Sequence, residues 1–356
     1  MTLILNNDEV AAAVSMRDSM EALEEGFREQ AHGRAINQIR YDINVPLKER
    51  PERNARYEFK TMVGVIPKFG VAALRMSSTL NHRPMVDGIE RSERLFAAGG
   101  NHTVGLVQLY SVGTGEPLAF MPDGIIQAMR VGATYGLAIK YLARSDATRM
   151  GLLGSGWQAT FQVAAAAAAR QLSLIKVYSP NADHRGQFAR SMSERHALNV
   201  AAVSSAQEAA RDVDILISAT NSREPTITEN MVRKGMHIAT IKSQEWTDTT
   251  LGKGDLVVAV SANEYLTYWA GDGQYGRQVS ASESTFTSTR EVPLLEDIIA
   301  GKIPGRTHSD QITMLRNGSG IGIQFACVAA KAYERALQLK LGREIPTDWF
   351  TQTLNT

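Results

Sequence analysis

The chain has 356 residues, 44% hydrophobic and 21% charged, which exceeds the usual limit of a single core and predicts two domains. Thirty-eight Lys and Arg stand against 37 Asp and Glu, a net charge of +1, so neither nucleic acid nor an anionic membrane is expected as a partner. A small molecule is expected instead; no apolar run reaches the length of a membrane span, and cytoplasmic residence is the default expectation.

Residues 8–32 predict one amphipathic helix, with Val10, Val14, Met20, Leu23 and Phe27 recurring among charges. Alternating stretches at 40–45 and 103–110, set between Gly and Pro clusters, predict antiparallel strands, and Gly113 to Pro117 reads as a turn. The front part is therefore α+β. From Asp123 a helix runs to about Leu142, with Ile126, Met129, Ala133, Leu137 and Tyr141 on one side. Short buried-type strands follow at 149–153, 175–178, 213–218, 237–241 and 255–260, the first ones separated by helical stretches. That alternation predicts an α/β fold with a parallel, doubly wound sheet. A last helix spans 323–339, and its single cysteine, Cys327, lies in an apolar run and reads as a buried small hydrophobe. His82, His102 and His308 lack metal-ligand spacing, so no metal is expected.

The strand at 149–153 runs into Gly154-Ser155-Gly156-Trp157-Gln158-Ala159 and then a helix, the order that a dinucleotide pyrophosphate requires. The first Gly permits a tight turn, and the second lets backbone N–H groups approach the phosphates. Ala159 lets the helix pack closely with its positive end aimed at the anion. With strand, helix and the next βα unit all present, the turn predicts a Rossmann site for NAD(H) or NADP(H). The second strand ends at Ser179, where NAD enzymes usually carry an acid. Ser179 and Asn181 can hydrogen-bond a ribose 2′-phosphate, and Arg185 or His184 can pair with it. NADP(H) is expected over NAD(H).

Met129-Arg130-Val131-Gly132-Ala133-Thr134, Tyr141-Leu142-Ala143-Arg144 and the Gly-Ser-Gly-Trp-Gln-Ala turn together resemble the ornithine cyclodeaminase/mu-crystallin family. Asp214-Ile215, Ala219-Thr220-Asn221-Ser222, Lys234 to Ile238, and Thr313 and Gly320 with the final helix resemble its later segments. The resemblance implies a discontinuous α+β substrate-binding and dimerisation domain (1–125 with 315–356), a Rossmann domain (126–314) and a homodimer. It implies small amino, imino or oxo acid substrates. Ala219, Thr220, Asn221, Asn317 and Gly318 are implied on the cofactor side, the last two in its nicotinamide-side loop.

Arg40 and Arg130 match the family's carboxylate-binding arginines, and a guanidinium fork suits that task because it binds bidentately and keeps its charge. The position of the family's catalytic lysine holds Arg75, which can grip a carboxylate or polarise an imine but shuttles protons poorly. After the strand at 237–241, where the family has Gly and then an acid, the chain reads Lys242-Ser243-Gln244-Glu245. The register leaves either Gln244 or Glu245 at the acid position, and Lys242 and Glu245 are the candidate acid–base groups. The resemblance thus implies an NAD(P)H-dependent reductase or dehydrogenase of a 2-imino, cyclic ketimine or 2-oxo acid. A cyclodeaminase and a non-catalytic NADPH-binding protein are its two rivals.

Overall fold

The computed structural model describes residues 1–353 except 87, 97–102, 262–264, 271–275, 280–291 and 318–319. Two sheets organise the chain. The Rossmann sheet contains seven strands, all parallel, in the spatial order Val200–Ala202, Leu174–Tyr178, Arg149–Leu153, Ile215–Ser218, His237–Thr240, Thr313–Arg316, Leu256–Ala259. Met150, Leu152, Ile215, Leu216 and Ile217 are fully buried, as expected of strands covered on both faces, which is why they read as apolar runs. The order reverses beside Arg149–Leu153, and a ligand crevice opens at the carboxyl ends of strands around such a switch point.

The front sheet is mostly antiparallel and joins both ends of the chain. Thr2–Ile4 lies between Pro117–Pro122 and Arg343–Ile345 at one edge. The long strands Arg56–Ile66 and Val71–His82 form its centre, flanked by Arg40–Pro46 and Val104–Ser111. Tyr265–Trp269 and Gly276–Val279 continue the sheet beyond Arg40–Pro46. These two strands fall inside 126–314, the span expected for the Rossmann domain: the chain returns to the front sheet before its last Rossmann strand.

The single N-terminal helix expected at 8–32 is two helices, Asn7–Ala13 and Met16–Ala31. Val14 is extended, and Ser15 caps the second helix in a reciprocal box with Asp18. The Ser-x-x-Asp pattern satisfies orphan N–H groups and restarts the helix. The helix Gly322–Leu339 lies across the front sheet. A Cβ on Gly64 would sit 2.4 Å from the Gly322 carbonyl carbon, so only glycine at this crossing allows the backbones to approach so closely. Among the described residues no helix is long and apolar enough to cross a membrane.

Candidate functional site

The crevice is built first by backbone. Gly154 has φ +106°, a conformation that favours glycine, and a Cβ there would lie 2.3 Å from the Ala219 carbonyl oxygen. Its N–H donates to the Tyr178 carbonyl at 2.7 Å, which ties the turn to the second strand. Helix Trp157–Ala169 starts after Gly156 with no side-chain cap. Its first N–H groups therefore lack a side-chain acceptor at the point where the helix dipole favours an anion. A cavity of about 1010 Å³ extends from this turn, lined by Ser155, Trp157 and Gln158, by Ser179 and Asn181, and by Ala219, Thr220 and Asn221. Val86, Ile89 and Arg91 of the front domain close its other side. The cradle and cavity fit a dinucleotide.

The second-strand end is tightly organised. Ser179 is buried, with its hydroxyl 2.8 Å from that of Ser155. Asn181 caps helix Ala182–His196 by accepting from the His184 N–H at 2.9 Å. Arg185 folds back and donates to the Ser179 and Pro180 carbonyls at 2.9 and 3.2 Å, with its guanidinium 5.7 Å from the Tyr178 ring centroid. His184, rather than Arg185, lines the cavity, so the structure places Arg185 behind the strand end. Ala159 is fully buried beneath the turn.

At the other end of the crevice, the structure does not bring Glu245 to the cleft as an acid. Its carboxylate is completely buried and accepts from the Ser218 hydroxyl (2.8 Å), the Thr220 N–H (2.9 Å), the Thr220 hydroxyl (2.6 Å) and the Lys242 N–H (2.9 Å). It is a knot between the ends of two strands. Lys242 is half-buried, and among the described residues its ammonium makes no hydrogen bond or ion pair. Burial lowers its pKa against the opposing pull of Glu245, and Arg223 adds to the lowering. Tyr135 donates to the Thr240 carbonyl at 2.5 Å, and Asn317 donates to that of Ile241 at 3.2 Å, so Asn317 braces the strand end. Gly318 lies outside the described residues.

The arginines converge on the inner face of the front sheet. Arg75 is buried and donates to Asp123 through Nε at 2.8 Å and Nη2 at 2.7 Å. Arg130 is buried, donates to the Gln324 side chain at 3.0 Å, and has an Nε without a partner. Their guanidinium carbons lie 5.1 and 4.9 Å from the centroid of the Phe325 ring. Burial, then the charges of Arg75 and Arg40, bring the Arg130 guanidinium down to about 9. Arg40 grips Asp42 bidentately at 2.7 and 2.6 Å. Sequence reasoning missed the acids that hold these cations, Asp42 and Asp123, and it missed Lys60, whose ammonium lies 2.6 Å from Glu58 on the same face. The signal available was the every-second-residue recurrence Arg40-x-Asp42 and Arg56-x-Glu58-x-Lys60.

Comparison with known proteins now adds to this geometry. The model of the ornithine cyclodeaminase/mu-crystallin family matches residues 85–340. The chain belongs to that family. A Delta(1)-pyrroline-2-carboxylate reductase of Bacillus cereus is 30% identical over 252 residues, covering 69% of this chain and 75% of that protein. The structure of the Thermococcus litoralis Delta(1)-pyrroline-2-carboxylate reductase in complex with NADH and L-proline superposes with a TM-score of 0.77 at 27% identity, covering 97% of this chain and all of the other (100%). An archaeal alanine dehydrogenase dimer with bound NAD gives 0.76 at 26% identity, covering 97% of this chain and 99% of the other. Among the described residues of this family member, no group of three His, Cys, Asp or Glu is placed to hold a metal. Cys327 is buried, and burial pushes its thiol pKa up, so it packs as a small hydrophobe.

Proposed function

We propose that this protein is a nicotinamide-dependent oxidoreductase that reduces a small 2-imino or cyclic ketimine acid, or a 2-oxo acid together with ammonia, to the amino acid, or runs the reverse. The observation that carries the reading is Arg130: a buried guanidinium with an unsatisfied Nε and no anionic side chain of its own, on the helix Asp123–Leu142 that leads into the first Rossmann strand. A substrate carboxylate supplies the missing anion, and a charge-assisted fork fixes its orientation. Arg75 and Arg40, each locked to an aspartate, set the walls of that anion site and add positive field. The relatives named pyrroline-2-carboxylate reductase and alanine dehydrogenase, one holding NADH and L-proline and one NAD, support this substrate and cofactor class.

When bound, the nicotinamide supplies or accepts the hydride. The chain's own tasks are to hold the pyrophosphate on the N–H groups after Gly154 and Gly156, to seat the ribose at Ser179 and Asn181, and to manage one proton. With Glu245 held by four donors, Lys242 gives that proton to the substrate nitrogen, or removes it in reverse. A partly desolvated ammonium of lowered pKa suits general acid–base work. NADP(H) is the preferred cofactor, since no acid faces the ribose at Ser179.

A homodimer completes the reading. Ile43, Phe59, Leu74, Met76, Val104 and Leu106 share the outer face of the front sheet by register. Ile43, Val104 and Leu106 are 42%, 46% and 37% exposed, an apolar surface that needs a partner.

The test pairs cofactor oxidation on a panel of ketimines and 2-oxo acids plus ammonia with an ammonia-release assay on ornithine. A reductase changes nicotinamide absorbance, a cyclodeaminase releases ammonia without net change, and a binding protein does neither. Arg130→Ala is expected to cost about 2–5 kcal/mol in kcat/KM with cofactor affinity nearly unchanged. Normal kinetics in that variant would remove Arg130 from the site.

A further inference from the structure

We infer that the substrate is a dianion, a 2-imino or 2-oxo dicarboxylate, and that Lys60 together with Arg56 holds the carboxylate remote from the reacting carbon. This rests on the reductase reading above and deepens it.

The inner face of the front sheet is unusual in being charged. Asp42 lies opposite Lys60, Lys60 lies opposite Ser77, and Arg75 is two residues further along that strand. Lys60 and Arg75 are therefore diagonal neighbours on one face, with backbones roughly 7–8 Å apart and long side chains that span the gap. Among the described residues, four cations of this face (Arg40, Arg56, Lys60, Arg75) and Arg130 of the helix Asp123–Leu142 meet three carboxylates (Asp42, Glu58, Asp123). Arg40 and Arg75 each have an aspartate, so the excess is located. One surplus charge is Arg130, bonded only to a neutral amide. The other arises because Arg56 and Lys60 share the single carboxylate of Glu58, at 2.5 and 2.6 Å.

The surplus sits at two separate places, Arg130 on the helix and the Arg56–Lys60 pair on the sheet face, with the ion pair of Arg40 and Asp42 beside Lys60. Among the described residues, the nearby charges do not cancel it. Arg83 acts on the Arg56 end and Arg94 on the Arg75 end, both positive, while Glu90 is occupied by Arg53 and Arg223. A monocarboxylate would neutralise one end and leave the other. A substrate with a cationic tail would meet repulsion at Lys60. A dicarboxylate answers both ends at once. Lys60 is suited to the contact because its side chain stays 24% exposed while burial, followed by the Arg40 charge, depresses its ammonium pKa. An arriving carboxylate restores the partner that Arg56 competes for.

The decisive experiment compares 2-oxo acids of equal length, one ending in a methyl group and one in a carboxylate: 2-oxobutanoate with oxaloacetate, and 2-oxopentanoate with 2-oxoglutarate. Calorimetry on wild type, Lys60→Met and Lys60→Arg reads binding, and cofactor oxidation with ammonia reads turnover. Wild type is expected to bind the dicarboxylate about ten- to hundredfold more tightly, the worth of one charge-assisted contact. Lys60→Met should erase that preference while leaving the monocarboxylate within about threefold, and Lys60→Arg should keep it. A wild type that binds the monocarboxylate as well as the dicarboxylate overturns the inference, even where Lys60→Met does not fold. So does a Lys60→Met variant that weakens both equally. Turnover of imino acids without a dicarboxylate preference would leave the reductase reading intact and remove this one. A dicarboxylate preference in binding with no turnover of any imino acid would do the opposite.

Discussion

Replacing Glu245 by Gln separates a structural carboxylate from a catalytic one. Oε1 accepts three hydrogen bonds, from the Ser218 hydroxyl and from the N–H and hydroxyl of Thr220, while Oε2 accepts the Lys242 N–H. An amide can keep its oxygen at the first position, but its NH2 then faces the Lys242 N–H, donor against donor. Leaving that buried N–H unsatisfied costs about 1–3 kcal/mol. The other three bonds lose their charge assistance, roughly 1 kcal/mol each, with partial compensation by relaxation. Glu245→Gln should therefore lose about 3–5 kcal/mol of stability. Because the knot joins Thr220, which lines the cofactor cavity, to Lys242, affinity for the nicotinamide cofactor should fall with it. Urea unfolding monitored by tryptophan fluorescence, with cofactor titration on the folded protein, measures both. A variant with unchanged stability and cofactor affinity but a collapsed kcat would refute the structural role and return Glu245 to acid–base chemistry.

Cofactor choice and assembly give two further checks. Wild type should bind NADPH about ten- to hundredfold more tightly than NADH by fluorescence titration; Ser179→Asp should reverse the preference, and His184→Ala, at the cavity wall, should weaken NADPH alone. Equal or tighter NADH binding by wild type would mean that Ser179 only ties the strand end to Ser155 and that Arg185 only caps carbonyls. In sedimentation equilibrium the protein should be a dimer at micromolar concentration, and Leu106→Lys should shift it toward monomer; a wild-type monomer would require another cover for the outer sheet face.

The Rossmann half was legible because its information is local. Strands covered on both sides read as apolar runs, and the Gly154 turn carries its own chemistry within six residues, from Gly154 to Ala159. The front half was legible only in part. Its strands at 40–46 and 104–111 show alternation, but which face is inward is settled by a helix far along the chain, Gly322–Leu339. The pairings that define the site are equally distant: Arg75 with Asp123 spans 48 positions and Arg130 with Gln324 spans 194. Glu245 was hard to read for a related reason. A carboxylate after a strand at a cofactor edge has the composition of a catalytic acid, and the four donors that hold it are visible only in the fold.

One inversion in the front sheet links the site to the assembly. In a sheet with one wet face, polar residues normally point to water and apolar ones to the core. Here the upper part of the inward face carries Arg40, Asp42, Glu58, Lys60 and Arg75, and the outward face carries Ile43, Phe59, Met76, Val104 and Leu106. Burying charge is tolerable only with pairing already in place, and the pairs Arg40–Asp42 and Lys60–Glu58 are each two residues apart on one strand. The proposed anion site is thus assembled largely by the strands themselves before any substrate arrives, which is the preorganisation that binding and catalysis reward. Arginine at position 75 fits this division of labour. A lysine there could release a proton, whereas Arg75, clamped by Asp123, can only hold charge. On the proposed mechanism, proton transfer then moves to Lys242 at the Rossmann edge, and the charged sheet face is left with the single task of gripping an anion.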